Sequence, residues 1–185
     1  METQERNIIR RVLNGDTQSY RLLMDWYSPR VFAMVVRIVK CQEDAEEITQ
    51  DVFMKAYSGL SRFDGRSSFS TWLYRIAYNE SVSHTRKSRS PETVIDEATL
   101  RTVSDSMVNT WFDSDDPRME ALPAAIDCLS VEERALLTFH YFDGMPLKEA
   151  AALMGIGEST AKVRLMRTRK KLYILISNHK NGNRI

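Results

Sequence analysis

LKEAAALMGIGESTAKVRLMRTRKKL, running from Leu147 to Leu172, decides the fold of the last third of this chain. It reads as a helix, a tight glycine turn and a second helix with a dense basic face, the layout of a helix-turn-helix. Each local requirement of that unit is met. Ala151 is small enough to let two helices approach, and Gly155 tolerates the positive φ of the turn. Ile156, Ala161, Leu165 and Leu172 are spaced to pin the second helix down. The face left over presents Ser159, Thr160, Lys162, Val163, Arg164 and Arg167. Residues early in such a helix reach base edges, whereas Arg169, Lys170 and Lys171 are placed for phosphates.

Working back from this unit, Pro146 precedes it and a helix is expected from Val131 to Phe142, stopped at Gly144. Ser130, with Glu133 three residues on, forms the capping box of that helix. Another helix is expected from about Met119 to Cys128. Between Ser88 and Arg118 the acids Glu92, Asp96, Glu97, Asp105, Asp113, Asp115 and Asp116 face only Arg89, Arg101 and Arg118. This Ser/Thr/Asp-rich stretch, opened by Ser90-Pro91 and closed by Asp116-Pro117, reads as a connector with at most a helical turn near Val94 to Val103.

The first half is helical by pattern. Ile8, Ile9, Val12 and Leu13 share one face of a short helix stopped by Gly15. Asp16 caps a longer one with Tyr20, Leu23, Met24, Tyr27, Val31, Val35 and Ile38 inward, interrupted or bent at Pro29. A third, from near Glu43 to Gly59, carries Ala45, Ile48, Val52, Phe53, Ala56 and Tyr57 inward. After a loop from Ser61 to Ser68, a fourth runs from about Ser70 to Arg86. No strand signal stands out. The stretch Phe63 to Asn79 interleaves aromatics with arginine and small hydroxyl residues, the side chains used to stack on unpaired bases and read their edges. By itself that pattern fits a helix core equally well.

Composition bounds the function. The 185 residues carry a net charge of only +1, so nucleic-acid binding rests on where the charge sits. Glu158 to Lys171 holds six basic residues against one acid. Cys41 and Cys128 fit no metal or redox spacing and read as reduced thiols. His84, His140 and His179 are scattered, so neither metal nor cofactor is expected and no enzyme chemistry is indicated. No apolar run approaches membrane-spanning length, and Met1 to Arg6 lacks the apolar core of a signal peptide. A cytoplasmic protein is expected.

Three collinear stretches, Asp44 to Tyr57 (DAEEITQDVFMKAY), Phe69 to Asn79 (FSTWLYRIAYN) and Leu147 to Leu172, resemble the successive signatures of an extracytoplasmic-function (ECF) sigma factor of the sigma-70 family. The resemblance implies an all-α protein: a sigma2-like domain at 1–87, a flexible acidic linker at 88–118, a sigma4-like domain at 119–179 and a tail at 180–185. It implies a bacterial initiation factor that binds core RNA polymerase and directs it to −35 and −10 promoter elements. Asp44, Glu47, Gln50 and Asp51 would meet the clamp coiled coil of polymerase. Arg62, Asp64, Arg66 and Ser68 would line or flank a pocket for a base flipped from the −10 region. Trp72, Arg75, Asn79 and Ser83 would face the opened strands. Ser159, Thr160, Lys162, Val163, Arg164, Arg167, Arg169 and Lys170 would hold the −35 element, and the helices around Leu122 to Phe142 would touch the flap.

The resemblance further implies an anti-sigma partner, a monomer when free, and a linker whose charge mimics nascent RNA in the polymerase exit path. This chain departs from common patterns at Trp72-Leu73, where housekeeping members carry two aromatics, and at Ala161 and Val163, where Val and Ser are usual. Val163 offers a methyl contact in place of a hydroxyl. The competing reading is a stand-alone helix-turn-helix regulator of duplex DNA; it would need a receiver or ligand-binding fold in the first half.

Overall fold

The computed structural model describes residues 2–88, 93–112 and 117–179, and among them the only regular elements are helices. The connector ends at 89–92 and 113–116 and the tail at 180–185 lie outside the described residues. The chain divides into two compact units, Met1–Arg89 and Ser90–Ile185.

The first unit contains α1 (Glu2–Leu13), α2 (Tyr20–Val39), α3 (Gln42–Gly59) and α4 (Phe69–Ser88). Asp16 nucleates the turn into α2: its carboxylate accepts from the Ser19 hydroxyl at 2.7 Å and from the Arg11 guanidinium at 2.8 Å. Those bonds hold the carboxyl below its ordinary range, the serine contributing most. The α2–α3–α4 packing buries Leu23, Val31, Val35, Ile38, Ala45, Val52, Ala56, Leu73 and Ala77 completely. Two tyrosines tie the helices polar end to polar end. Tyr20 donates to the Phe53 carbonyl at 2.8 Å, and Tyr27 donates to the buried carboxylate of Glu5 on α1. Burial pushes both hydroxyls far above their ordinary pKa, so they remain neutral donors.

Three details differ from the sequence pattern. Pro29 does not interrupt α2, which runs its full 20 residues. Met24 and Tyr57 are exposed, not inward; the Tyr57 ring lies edge-on to Tyr20, with centroids 5.0 Å apart. Helical spacing leaves a residue at the margin of the apolar stripe free to fall on either side, and the neighbour decides.

The second unit is built around one long helix. It contains α5 (Glu97–Arg101), α6 (Asp105–Phe112), α7 (Leu122–Asp127), α8 (Val131–Leu137), α9 (Leu147–Met154) and α10 (Glu158–His179). Each of the others packs on α10. The capping box of α8 forms in full: Glu133 N–H donates to the Ser130 hydroxyl at 3.2 Å, and Ser130 N–H donates to the Glu133 carboxylate at 2.8 Å. After Leu137 the helix widens into a π turn, Thr138–Phe142.

The described part of the connector is not a plain tether. Asp96 caps α5, accepting from Thr99 N–H at 2.9 Å, and α6 follows after a short break. Leu100, Val103 and Val108 form a buried cluster with Ile174 of α10. Trp111 stacks edge-on against Tyr173, with centroids 5.4 Å apart. Apolar residues thinly spread through a Ser/Thr/Asp-rich stretch suffice once an apolar helix side is available to receive them.

Candidate nucleic-acid interface

The turn between α9 and α10 has the geometry its residues demand. Gly155 sits in the left-handed region (φ 71°), and its N–H closes α9 onto the Ala152 carbonyl at 3.2 Å. Ile156 N–H reaches Ala151 at 3.0 Å. Ala150, Ala151, Ala161, Leu165 and Leu172 are buried and lock the two helices. Ser159, Thr160, Lys162, Val163 and Arg167 are exposed, and Arg164 is half-buried. The valine, 59% exposed, has no core role and is available as an apolar reader. At the helix start Lys162 lies 2.8 Å from Glu158 and holds that carboxyl below its ordinary range.

The basic run splits by side. Arg169 and Lys170 are half-buried, and Lys170 Nζ lies 2.7 Å from the Asp105 carboxylate. Arg167 pairs with Glu97. Lys171, expected beside them at phosphates, requires correction: it is buried, 3.0 Å from Glu133, and serves the fold.

In the first unit the loop from Ser61 to Ser68 projects Arg62, Asp64 and Arg66 into solvent. Asp64 accepts from Arg66 N–H at 3.1 Å and from its Nε at 2.5 Å, which keeps the carboxyl below its usual range, the backbone bond contributing most. Gly65 (φ 71°) permits this tight turn. Ser68 is the hub at the start of α4: its hydroxyl lies 2.8 Å from those of Ser70 and Thr71. Trp72, Arg75, Asn79 and Ser83 recur at three- and four-residue steps and share one side of α4. The last three are exposed, while Trp72 is half-buried in a cluster with Phe63 and Phe69, at centroid distances of 5.3 and 5.7 Å. Trp72 therefore serves packing and surface at once.

Sequence pattern did not reveal the partner of this loop. A cleft of roughly 480 Å³ beside it is walled on the other side by Glu5, Arg6, Ile9 and Arg10 of α1. Only the fold brings residues 5–10 to residues 63–69; the signal available in sequence was the basic pair Arg6 and Arg10 on the outer side of an amphipathic helix.

On α3, Glu47 and Gln50 are exposed and Asp44 and Asp51 half-buried. Asp44 leans toward α4, 3.8 Å from His84 Nε2. Met54, 61% exposed, extends the Glu47–Gln50 stripe, and Leu22 and Trp26 are further exposed apolar residues on α2.

Comparison with known proteins finds two family matches: residues 23–90 match Sigma-70 region 2 and residues 119–172 match Sigma-70, region 4. The RNA polymerase sigma-H factor of Pseudomonas aeruginosa is 28% identical over 92% of this chain and 93% of its own. The ECF RNA polymerase sigma factor SigW of Bacillus subtilis is 27% identical over 93% of this chain and 96% of its own. Among solved structures, CnrH in complex with the cytosolic domain of CnrY covers 94% of this chain and 97% of its own, with TM-score 0.65 and 20% identity. The sigma factor RpoE of Bartonella quintana, in complex with the anti-sigma factor NepR, covers 86% of this chain and 98% of its own, with TM-score 0.61 and 21% identity. These structures share the fold.

Proposed function

The chain belongs to the sigma-70 family of transcription initiation factors, in its extracytoplasmic-function branch, and from that premise we propose which of its surfaces meet polymerase and which meet DNA. The exposed side of α3, through Asp44, Glu47, Gln50 and Asp51, docks on the polymerase clamp, with Met54 adding apolar contact. The loop Ser61 to Ser68 holds a flipped −10 base, Arg62, Asp64, Arg66 and Ser68 lining or flanking the pocket. Trp72, Arg75, Asn79 and Ser83 run along the separated strands. The observation that carries this reading is the coincidence of exposure and periodicity on α4: the residues named for DNA share one side, backed by buried Leu73, Ala77 and Val82.

In the second unit, Ser159, Thr160, Lys162, Val163 and Arg164 at the start of α10 read the −35 element in the major groove. Arg167, Arg169 and Lys170 extend the contact toward the phosphates. The domains divide as 1–87 and 119–179, and the helices from Leu122 to Phe142 meet the flap. The protein works in the bacterial cytosol, carries no catalytic group of its own and leaves phosphoryl transfer to the polymerase. No helix among the described residues is long and apolar enough to cross a membrane. Away from polymerase it is held by an anti-sigma partner, a reading supported by the structure of the sigma factor RpoE in complex with the anti-sigma factor NepR.

Pull-down with purified bacterial core polymerase, followed by transcription in vitro from genomic DNA, tests the assignment. Stoichiometric binding and discrete new start sites are expected; sequence-specific duplex binding without core binding would instead favour the stand-alone regulator. In the same assay Asp51→Arg is expected to weaken core binding by about tenfold or more while leaving the circular dichroism spectrum unchanged. Normal assembly by that variant would remove α3 from the clamp contact. Arg164→Ala is expected to cost ~1–3 kcal/mol of −35 discrimination if the arginine meets a base edge, and less, evenly across sequences, if it meets a phosphate. Unaltered promoter choice and unaltered affinity together would sink its role.

A further inference from the structure

The connector lies along the helix that the proposed function assigns to duplex DNA. Between residues 93 and 111 it touches α10 at several points, from Ser159 to Ile174. Thr93, Val94 and Ile95 wall a cleft of roughly 720 Å³ whose other side includes Ser159, Thr160, Val163, Arg164 and Arg167. Glu97 pairs with Arg167, and Asp105 lies 2.7 Å from Lys170. Leu100, Val103 and Val108 then bury against Ile174, and Trp111 against Tyr173. Thr93 N–H also donates to the Cys128 carbonyl at 3.0 Å, anchoring the leading end to the unit's own backbone.

Two kinds of contact are present, and they have different consequences. The apolar anchors sit beyond the reading turns of α10 and account for why the segment stays attached. The carboxylates sit on Arg167 and Lys170, cations that a phosphate would otherwise engage, in the manner of an acidic mimic of the DNA backbone. A segment serving only as a tether would need the anchors and not the carboxylates.

We propose that residues 93–111 are a built-in cover of the −35-reading side of α10, in which Glu97 and Asp105 compete with DNA phosphates for Arg167 and Lys170. The inference rests on the assignment of α10 to duplex DNA. Binding duplex requires both ion pairs to open and the 93–95 stretch, released from the Cys128 carbonyl, to clear the cleft it walls opposite the exposed Ser159, Thr160 and Val163. The apolar anchors on Ile174 and Tyr173 let the cover swing aside without detaching. The Glu97–Arg167 pair is exposed and the Asp105–Lys170 pair keeps its carboxylate in solvent, so each contributes modestly and is weakened by salt. The cover therefore tunes affinity and does not abolish it.

The test uses the full chain and a fluorescently labelled random-sequence 30-base-pair duplex, followed by anisotropy at low and moderate salt. The double variant Glu97→Gln/Asp105→Asn is expected to bind about fivefold more tightly than the unmodified chain, the sum of one exposed and one partly buried ion pair. Glu46→Gln/Glu120→Gln removes the same charge from exposed positions outside the contact and is expected to change affinity by less than about twofold. Hydrogen exchange on the unmodified chain supplies the second readout: added duplex is expected to slow exchange in Ser159 to Arg167 and to speed it in Thr93 to Thr99, with the anchored 103–111 stretch unchanged. If the duplex protects α10 while both double variants bind alike and exchange in 93–99 stays unchanged, the cover is overturned and the DNA assignment stands. If no protein binds and α10 gains no protection at any salt concentration, the DNA assignment fails and the cover fails with it.

Discussion

Phe69→Ala is expected to lower the stability of the first unit by about 3–5 kcal/mol, among the largest losses a single substitution in this chain can cause. Phe69 opens α4 and is 2% exposed. Its ring lies 5.5 Å from Tyr27, 5.8 Å from Phe63 and 5.7 Å from Trp72. Removing it opens a cavity at the junction of α2, α4 and the loop, and three aromatic partners lose contacts together. The site is poorly placed to collapse, because Tyr27 is held by its bond to Glu5 and Trp72 by the α4 backbone. Phe63 precedes Asp64 directly, so the same cavity unmoors the loop proposed to hold the flipped base. Chemical denaturation followed by far-ultraviolet circular dichroism measures the loss. Phe69→Leu, which keeps most of the volume, should cost less than half as much, and its promoter opening should survive. A loss below 1 kcal/mol for the alanine variant would mean that this cluster is not what positions α4.

Glu133→Ala is the counterpart in the second unit, with an expected loss of about 3 kcal/mol. One carboxylate does two jobs there. It accepts the Ser130 N–H at 2.8 Å, closing the capping box, and lies 3.0 Å from Lys171 Nζ. The lysine side chain is only 10% accessible, so losing the acid strands a cation beside the core. Breaking such a pair from one side costs far more than the pair itself contributes. The double variant Glu133→Ala/Lys171→Met separates the two effects: it removes the stranded charge and is expected to recover about half of the loss, leaving the missing cap. Thermal unfolding of the three variants reads this directly. No recovery would show that the cap alone accounts for the effect.

The helix-turn-helix was legible because its determinants are local. Ala151, Gly155 and Ala161 are set by the turn itself, and all three stand in the structure as spacing predicts. The capping box at Ser130 and Glu133 was legible for the same reason. What failed to show depends on neighbours far along the chain. Lys171 belongs to the same basic run as Lys170, yet α8 lies on its side of α10 and supplies Glu133. The connector's α6 was hidden because Val108 and Trp111 are few among polar residues, and their receiving surface, Tyr173 and Ile174, comes more than 60 residues later. On α3, the four polar residues assigned to polymerase read from sequence as any solvated acidic helix side; only the resemblance singled them out. The α1 wall of the loop cleft had no pattern that pointed to the loop.

α10 spans 22 residues, a rod of roughly 33 Å. One side of its opening turns is packed on α9 through Ala161 and Leu165 and the other is exposed, while its closing turns hold Leu172, Ile174, Leu175 and Ile176 in the core. One rigid body thus carries two separable inheritances. Substitutions at Ser159, Thr160, Lys162 or Val163 meet no core neighbour, so promoter preference can drift without taxing the fold. The closing turns cannot drift in the same way, and they fix the angle at which every variant of the opening turns is presented. Such a protein can diversify its targets among descendants while keeping one docking pose.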